Sequence, residues 1–330
     1  MAERSSITQG VQFGTETTPG TNVAANKKFN SIGVGPAINV DMQRFRSMGN
    51  KYATVVTPGK EMVEADIDGV GSYSELIWFF ASNIVAPGAP VTVDTTARQW
   101  DFVSATSAED TIKSYTVEQG GTVRAHKFNY GIVPELELTF NRDGIEVGGS
   151  MLGQRLSDGI TMTASPTTPP EIPILPTDID VFLDTTSAGL GTTKLTRVLE
   201  ASWKLGDRFN PVWVLNTANN SFVAHVESEP TAELTLKMEA DAAGMAQLTQ
   251  LRAGSTRYVR IKGTSPTLAG ASTAFYSLTL DSAAKVKDVS DFTDEDGVYA
   301  IEWTFDMVHD SGWGTGKAFT AQVVNKETTL

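Results

Sequence analysis

The chain has 330 residues, 40% of them hydrophobic and 20% charged, with a formal net charge of −13 at pH 7. That balance belongs to ordinary globular protein long enough for two cores, and it argues against wholesale disorder and against phosphate binding through clustered Lys and Arg. The absence of cysteine removes disulfides, zinc–thiolate sites and thiol nucleophiles together, and fits a reducing compartment.

The opening MAERSSITQG is polar, so no secretory signal is expected, and the sequon Asn219-Asn220-Ser221 carries little weight without one. Strand-like alternation begins in VQFGTETTPGTNVAANKKFNSIGVGPAINVDMQRF (11–45). A strand then feeds the apolar stretch ELIWFFASNIVA (75–86), which is too short for a membrane span and predicts a buried helix. Ser72 with Glu75 three residues later has the spacing of a capping box. Tyr73, Leu76, Ile77, Phe80 and Ile84 recur at helical spacing, and Trp78 and Phe79 widen the apolar face. In ELELTFNRDGIEVGGSM, Leu136, Leu138 and Phe140 point one way while Glu135, Glu137 and Thr139 point the other. Arg142-Asp143-Gly144 reads as the hairpin turn between two alternating runs.

SPTTPPEIPILPT (165–177) is a proline-rich linker that must run extended, and it divides the chain into 1–164 and 178–330. The halves echo one another three times in the same order. DVFLDTTSAGLGTTKLTRVLEASWKLGDRF (180–209) repeats an acidic-Thr-Thr step, a glycine-rich loop and a closing Arg-Phe. ELTLKMEADAAGMAQLTQLRAG (233–254) repeats the strand-to-helix passage, with Asp241 as N-cap, Met245, Leu248 and Leu251 on one face, and Gly254 as stop. DVSDFTDEDGVYAIEWTF (288–305) parallels RAHKFNYGIVPELELTF (124–140), ending in IEWTF and LELTF. A tandem duplication follows, mainly β, each half an antiparallel β-sandwich or half-barrel with one flanking helix. A strand-rich sheet with one helix has edges that must be covered or paired with another chain.

Motifs with chemistry are scarce. Asp288, Asp291, Asp294, Glu295 and Asp296 crowd ahead of Gly297. An EF-hand loop aligned on Gly297 would need acids where Phe292 and Trp303 stand, so the cluster reads as a solvated turn leading into a strand. SGWGTGKAF (311–319) lacks the spacing and the final Ser/Thr of a phosphate loop. No G-x-S-x-G elbow occurs, and His126, His225 and His309 lie in no ligand pattern. Neither a catalytic residue, a metal ligand nor a cofactor contact is assigned, although 39 acids leave chance carboxylate pairs for a glycosidase open. Trp78 and Trp303 read as core. Trp100, Trp203, Trp213 and Trp313 read as core or as interface anchors, which keeps a glycan-binding surface module as an alternative.

Laid out this way, the chain resembles the major tail tube proteins of long-tailed bacteriophages. The resemblance is carried by GVQFGTETTPGTNVAANKKF (10–29), SMGNKYATVVTPGKEMVEADIDGVGSYSEL (47–76), YTVEQGGTVRAHKFNYGIV (115–133), LGTTKLTRVLEASWKLGDRFNPVWVLN (190–216) and MEADAAGMAQLTQLRAG (238–254). It implies two tail-tube-like domains, 1–164 and 178–330, and a structural virion protein without enzymatic activity or cofactor. Three such chains would close a pseudohexameric ring, single-domain members closing as homohexamers, and rings would stack into a tube for viral DNA in transit. It also implies a tape measure protein, tail tip and tail terminator proteins as partners, no membrane anchor, and assembly in the bacterial host cytoplasm into the virion tail. Contacts between subunits or rings are expected in segments with large side chains: the N-terminal arm (1–26), the connection 46–60, and its counterpart 210–222. The residues assigned to them are Arg44, Phe45, Arg46, Lys51, Tyr52, Arg208, Phe209 and Trp213. The lumen strands are expected to carry more Asp and Glu than Lys and Arg, because a negative wall repels phosphate.

Overall fold

The period-two alternation of the sequence becomes strands nearly everywhere in the computed structural model, which describes residues 9–215 and 220–330. The first half holds β1 (Gly10–Thr15), β2 (Lys27–Phe29), β3 (Ile32–Phe45), β4 (Val55–Val70), α1 (Leu76–Asn83), β5 (Val91–Asp94), β6 (Ala97–Phe102), β7 (Tyr115–Gly120), β8 (Ala125–Asn141), β9 (Gly144–Gly153) and β10 (Ser157–Ile160). The second half continues with β11 (Ile179–Asp184), β12 (Lys194–Leu195), β13 (Val198–Gly206), β14 (Phe209–Val212), β15 (Ala224–Glu227), β16 (Thr231–Glu239), α2 (Ala242–Met245) and α3 (Gln247–Ala253). It ends with β17 (Thr256–Leu268), β18 (Phe275–Val289), β19 (Thr293–Glu295), β20 (Val298–Met307) and β21 (Phe319–Asn325). The protein is mainly β and its ladders are antiparallel, a β-sandwich class.

The order of neighbours is the same in both halves. In the first it runs β2–β1–β7–β8–β9–β4–β3. In the second it runs β12–β11–β17–β18–β20–β16–β13. The acids of the two acidic-Thr-Thr steps stand at the ends of β1 and β11, and both accept hydrogen bonds from the backbone of the loop that follows. Glu16 accepts from the Gly20 and Tyr130 backbone N–H groups and the Ser114 and Thr116 hydroxyls. Asp184 accepts from the N–H groups of Gly191, Thr192 and Thr193. The third echo, by contrast, is displaced by one strand. Segment 124–140 is β8, whose counterpart by pairing is β18 with β19, whereas segment 288–305 ends in β20, the counterpart of β9. β8 and β20 turn alternate apolar residues toward the same interior, and that shared pattern makes their sequences look alike.

The halves join edge to edge. β13 pairs with β8 from Ala201–Phe140 to Leu205–Leu136, and β6 pairs with β21. One layer is therefore an eight-stranded sheet in the order β3–β4–β9–β8–β13–β16–β20–β19. The other layer consists of β2–β1–β7–β8–β10 and of β12–β11–β17–β18–β21–β6–β5. β8 and β18 pass through both layers, and the β8 ladder shifts register as it crosses, between Ile132 and Glu135. There Gly149 stands at φ 154°, where an added Cβ would lie 2.3 Å from the Glu135 carbonyl oxygen, so only glycine fits the crossing.

Two separate cores were the expectation, but the inward faces of both halves meet in one cluster that includes Trp78, Trp203, Trp303 and Phe305. The reason is α1. Its eight residues are all buried, wrapped by β8 of its own half and by β13 and β21 from the other. Phe80 lies 5.5 Å from Phe102 and 6.2 Å from Trp203, which in turn lies 5.7 Å from Phe319. Burying side chains of this size contributes about 1.5–3 kcal/mol each. The proline-rich segment is extended, as expected, but it is docked rather than a free tether: the Ile174 N–H donates to the Gly71 carbonyl, and Ile174 is buried.

The ends of α1 are held by groups from elsewhere. The expected capping box does not form; instead the Glu75 carboxylate accepts from the backbone N–H groups of Asn30, Ser31 and Ile32 at 2.9–3.3 Å. Burial pushes that carboxyl above its ordinary range, against the three N–H groups that favour its charge. At the other end Arg208 donates to the Asn83 and Ile84 carbonyls at 2.9 Å each. Its guanidinium also pairs with Asp110 at 2.9 Å and Glu227 at 2.5 Å, and the residue is 1% exposed. A cation at a helix C-terminus opposes the negative end of the dipole. In the second half the expectations hold: the Asp241 carboxylate accepts from Ala243 and Gly244, and Gly254 ends α3 in the left-handed conformation. Met245, Leu248 and Leu251 there are only half-buried. Replacing Arg208 by Ala strands two carboxylates and two helix-end carbonyls, so it is expected to lower the unfolding free energy by about 3–5 kcal/mol in urea denaturation. A loss below about 1 kcal/mol would show that the pairing is not what holds the halves together.

Candidate functional site: an acidic sheet face with two open edges

The eight-stranded sheet has one face turned to the core and one turned out. In the first half the outward positions carry Glu64, Asp66 and Asp68 on β4, Glu146 on β9, and Glu135 and Glu137 on β8, interleaved with Gly33, Gly35 and Gly148. No base from these four strands stands among them. The first positive charge is Lys204 on β13, 2.5 Å from Glu135 and 3.6 Å from Glu137. Its hydrogen bond to Glu135 raises the Lys204 ammonium above its ordinary range. In the second half acids still predominate on β13, β16 and β20. Glu200, Glu233, Glu239, Glu302 and Asp306 are answered by Arg197, which pairs with Glu239, by Lys237, and by Lys285 and Lys287 from β18. The face therefore has a net negative potential with few bulky side chains across its first half.

The sheet has two open edges. Among the described residues β3 pairs with β4 alone, and Ile38 on it is 56% exposed. At the opposite end β19 pairs, among the described residues, with β20 alone, and Phe292 beside it is 57% exposed. Inside the chain the same two kinds of edge are already joined, since β13 is the counterpart of β3, and β8 that of β18 with β19.

The acids that first resembled a metal loop are engaged by protein. Asp294 accepts from the Gly297 N–H at 3.0 Å, Asp296 pairs with Arg142 at 2.6 Å, and Glu295 pairs with Lys237 at 2.5 Å. Asp296 and Gly297, at φ 53° and 83°, form the two-residue turn between β19 and β20. Sequence spacing could not supply Arg142 or Lys237, which come from distant strands.

The residues expected to make intersubunit contacts fall into two groups. Arg44, Phe45, Arg46, Lys51 and Tyr52 lie together on the β3–β4 arm, and all are exposed. Arg208 and Phe209 do not share that surface. Arg208 anchors α1, and Phe209 is buried in a small cluster with Tyr130, Ile132, Ile112 and Phe222. The Arg-Phe echo misled because register aligns Arg208 with Asp41 and Phe209 with Met42, three residues before Arg44-Phe45. Trp213 is half-buried on the same cluster, with Lys60 5.0 Å from its ring. Residues 1–8 of the N-terminal arm, residues 216–219 of the second arm, and with them Asn219 of the sequon, lie outside the described residues.

Of the tryptophans considered as anchors, Trp100 and Trp203 are core, and the Trp100 indole donates to Asn325 and to the Glu327 carbonyl. Trp313 lines an open cleft of about 500 Å3 with Lys317, Arg260 and Asp281. Arg260 and Asp281 there bond each other through two hydrogen bonds of 2.6 and 2.8 Å. A glycan face would need more than this single ring. No family model matches the chain, and no curated protein matches it. The two edges differ from the internal joint in one measurable respect. In the isolated chain, those backbone amides among 34, 35, 37, 38 and 293–295 that point away from the paired neighbour are expected to exchange rapidly with deuterium while those of 201–205 stay protected; equal protection at all three would mean that the edges are not open.

Proposed function

We propose that the chain is a tail tube subunit of the long-tailed bacteriophage type, a structural virion protein that closes into rings and carries no enzymatic activity. The observation that supports this best is the internal joint: one half presents a β8-type edge to a β13-type edge of the other. Such a head-to-tail contact leaves the complementary pair, β3 and β19, with their outer sides unpaired among the described residues at the two ends of the eight-stranded sheet. Heterologous contacts of this kind generate a ring when the rotation closes. Three chains would supply 3 × 8 = 24 strands to a pseudohexameric ring, and 3 × −13 = −39 charges. The tandem repetition of strand order in 1–164 and 178–330 supports the pseudohexamer over a homohexamer of single domains.

In this reading the acidic face lines the channel. Carboxylates and glycines fill its first half, and Lys204, Lys237 and Lys287 are tied to carboxylates, so phosphates are repelled and the duplex slides without specific binding. The exposed β3–β4 arm, with Phe45, Met48 and Tyr52 at its tip, reaches a neighbouring ring. Tape measure, tail tip and terminator proteins complete the tail, which assembles in the bacterial cytoplasm.

Negative-stain microscopy of the concentrated protein is expected to reveal rings or tubes with an open centre. Persistent monomers that bind glycan would overturn the reading in favour of the surface-module alternative. Deleting residues 47–58 is expected to leave a folded monomer that no longer stacks, judged by circular dichroism and sedimentation; tubes of normal length from that variant would exclude the arm from stacking. Replacing Glu64, Asp66 and Asp68 together by Lys is expected to leave the fold intact and create salt-sensitive binding to duplex DNA in mobility shift, where the parent shows none. Retention of DNA by the parent protein at the same salt would count against an acidic channel wall.

A further inference from the structure

We propose that β19 of one copy pairs antiparallel with β3 of the next copy, with Asp294 opposite Val34, Thr293 opposite Gly35 and Phe292 opposite Pro36. The association of copies rests on the tube reading; the register comes from the joint already made inside the chain. The hairpins β8–β9 and β19–β20 have turns of equal length, Asn141 pairing with Gly144 and Glu295 with Val298. Counting back from the turns, Asp294, Thr293 and Phe292 stand where Phe140, Thr139 and Leu138 stand. Counting forward, Trp303 is the counterpart of Gly149. Trp303 pairs with Leu236, which pairs with Ala201; Gly149 pairs with Ile67, which pairs with Val34. Ala201, Ser202 and Trp203 thus correspond to Val34, Gly35 and Pro36. The internal pairs Ala201–Phe140, Ser202–Thr139 and Trp203–Leu138 then translate directly into the proposed ones.

A second observation points to the same partner. α1 is wholly buried because the second half covers it, whereas α3 keeps Leu248 and Leu251 half-buried. The first half of a following copy, seated by the proposed register, would cover α3 as the second half covers α1.

The two joints are not equal in strength. The internal one encloses Trp203 and Arg208, both about fully buried, while the corresponding positions at the open edge hold Pro36 and Asp41. Pro36 adds no N–H to the ladder, and Asp41 cannot cap a helix C-terminus as an arginine does. The seam between copies therefore opens more readily than the seam inside the chain.

The chain has no cysteine, so a disulfide between introduced residues reports their position alone. An added Cβ at Gly35 meets nothing closer than 3.9 Å, so cysteine fits there. Thr139→Cys with Ser202→Cys calibrates the chemistry within one chain. Gly35→Cys with Thr293→Cys, oxidised after assembly, is expected to give covalent multimers on a non-reducing gel, several-fold more than Gly35→Cys with Asp291→Cys. If the calibrating pair closes and rings form, yet the registered pair links no better than the shifted one, the register is overturned and the tube reading stands. If the unmodified protein forms no rings, both fall. Should the cysteine variants fail to assemble, wild-type rings are expected to protect the amides of 35, 37 and 38 and of 293–295 from exchange, and unchanged exchange there would also overturn the pairing.

Discussion

Every backbone N–H and C=O in a sheet needs a partner, and the run of five paired residues between β8 and β13 is where this protein meets that demand across its own midline. The rest of the architecture depends on that ladder. It turns two four-stranded sheets into one of eight and brings α1 under the second half. It also allows one apolar cluster to span both halves, and it gives Arg208 a helix end to hold. Without it each half would keep two raw edges and a half-covered helix, which is the condition α3 is left in.

Much of the fold was legible because two simple periods write it. Alternation in ELELTF set the inward and outward faces of β8 correctly, and Asp241 and Gly254 marked the ends of the second helix. What alternation cannot encode is which alternating strand is which. β8 and β20 present the same pattern to the same core, so their sequences look alike, and only hydrogen-bonded register separates them. The Arg-Phe pairs misled for a related reason. Two residues are too short a string to fix a register, and the structure shifts them by three. Ser72 and Glu75 fit a local rule, but Glu75 found three N–H groups from a distant turn, a tertiary alternative invisible in the local sequence.

The candidate surface was legible in sign but not in place. Net charge predicted an acidic surface somewhere; the position of Glu64, Asp66 and Asp68 on one outward row required knowing that β4 lies between β3 and β9. Of the conspicuous acids at 288–296, Asp294 is committed to its own turn, while Glu295 and Asp296 are tied to bases from distant strands. Less conspicuous acids, one every second residue on strands far apart in sequence, make the continuous face.

Arg208 also bears on how assembly is timed. Each association of free molecules gives up translational and rotational freedom worth several kcal/mol, and a contact built within one chain avoids that loss. In the ring proposed above, fastening the two halves through buried charge would make half of the joints concentration-independent before partners meet. Only the remaining joints respond to protein concentration. Dilution would then dissolve the proposed rings without unfolding their parts, and a template supplying one edge would shorten the delay in starting a new one.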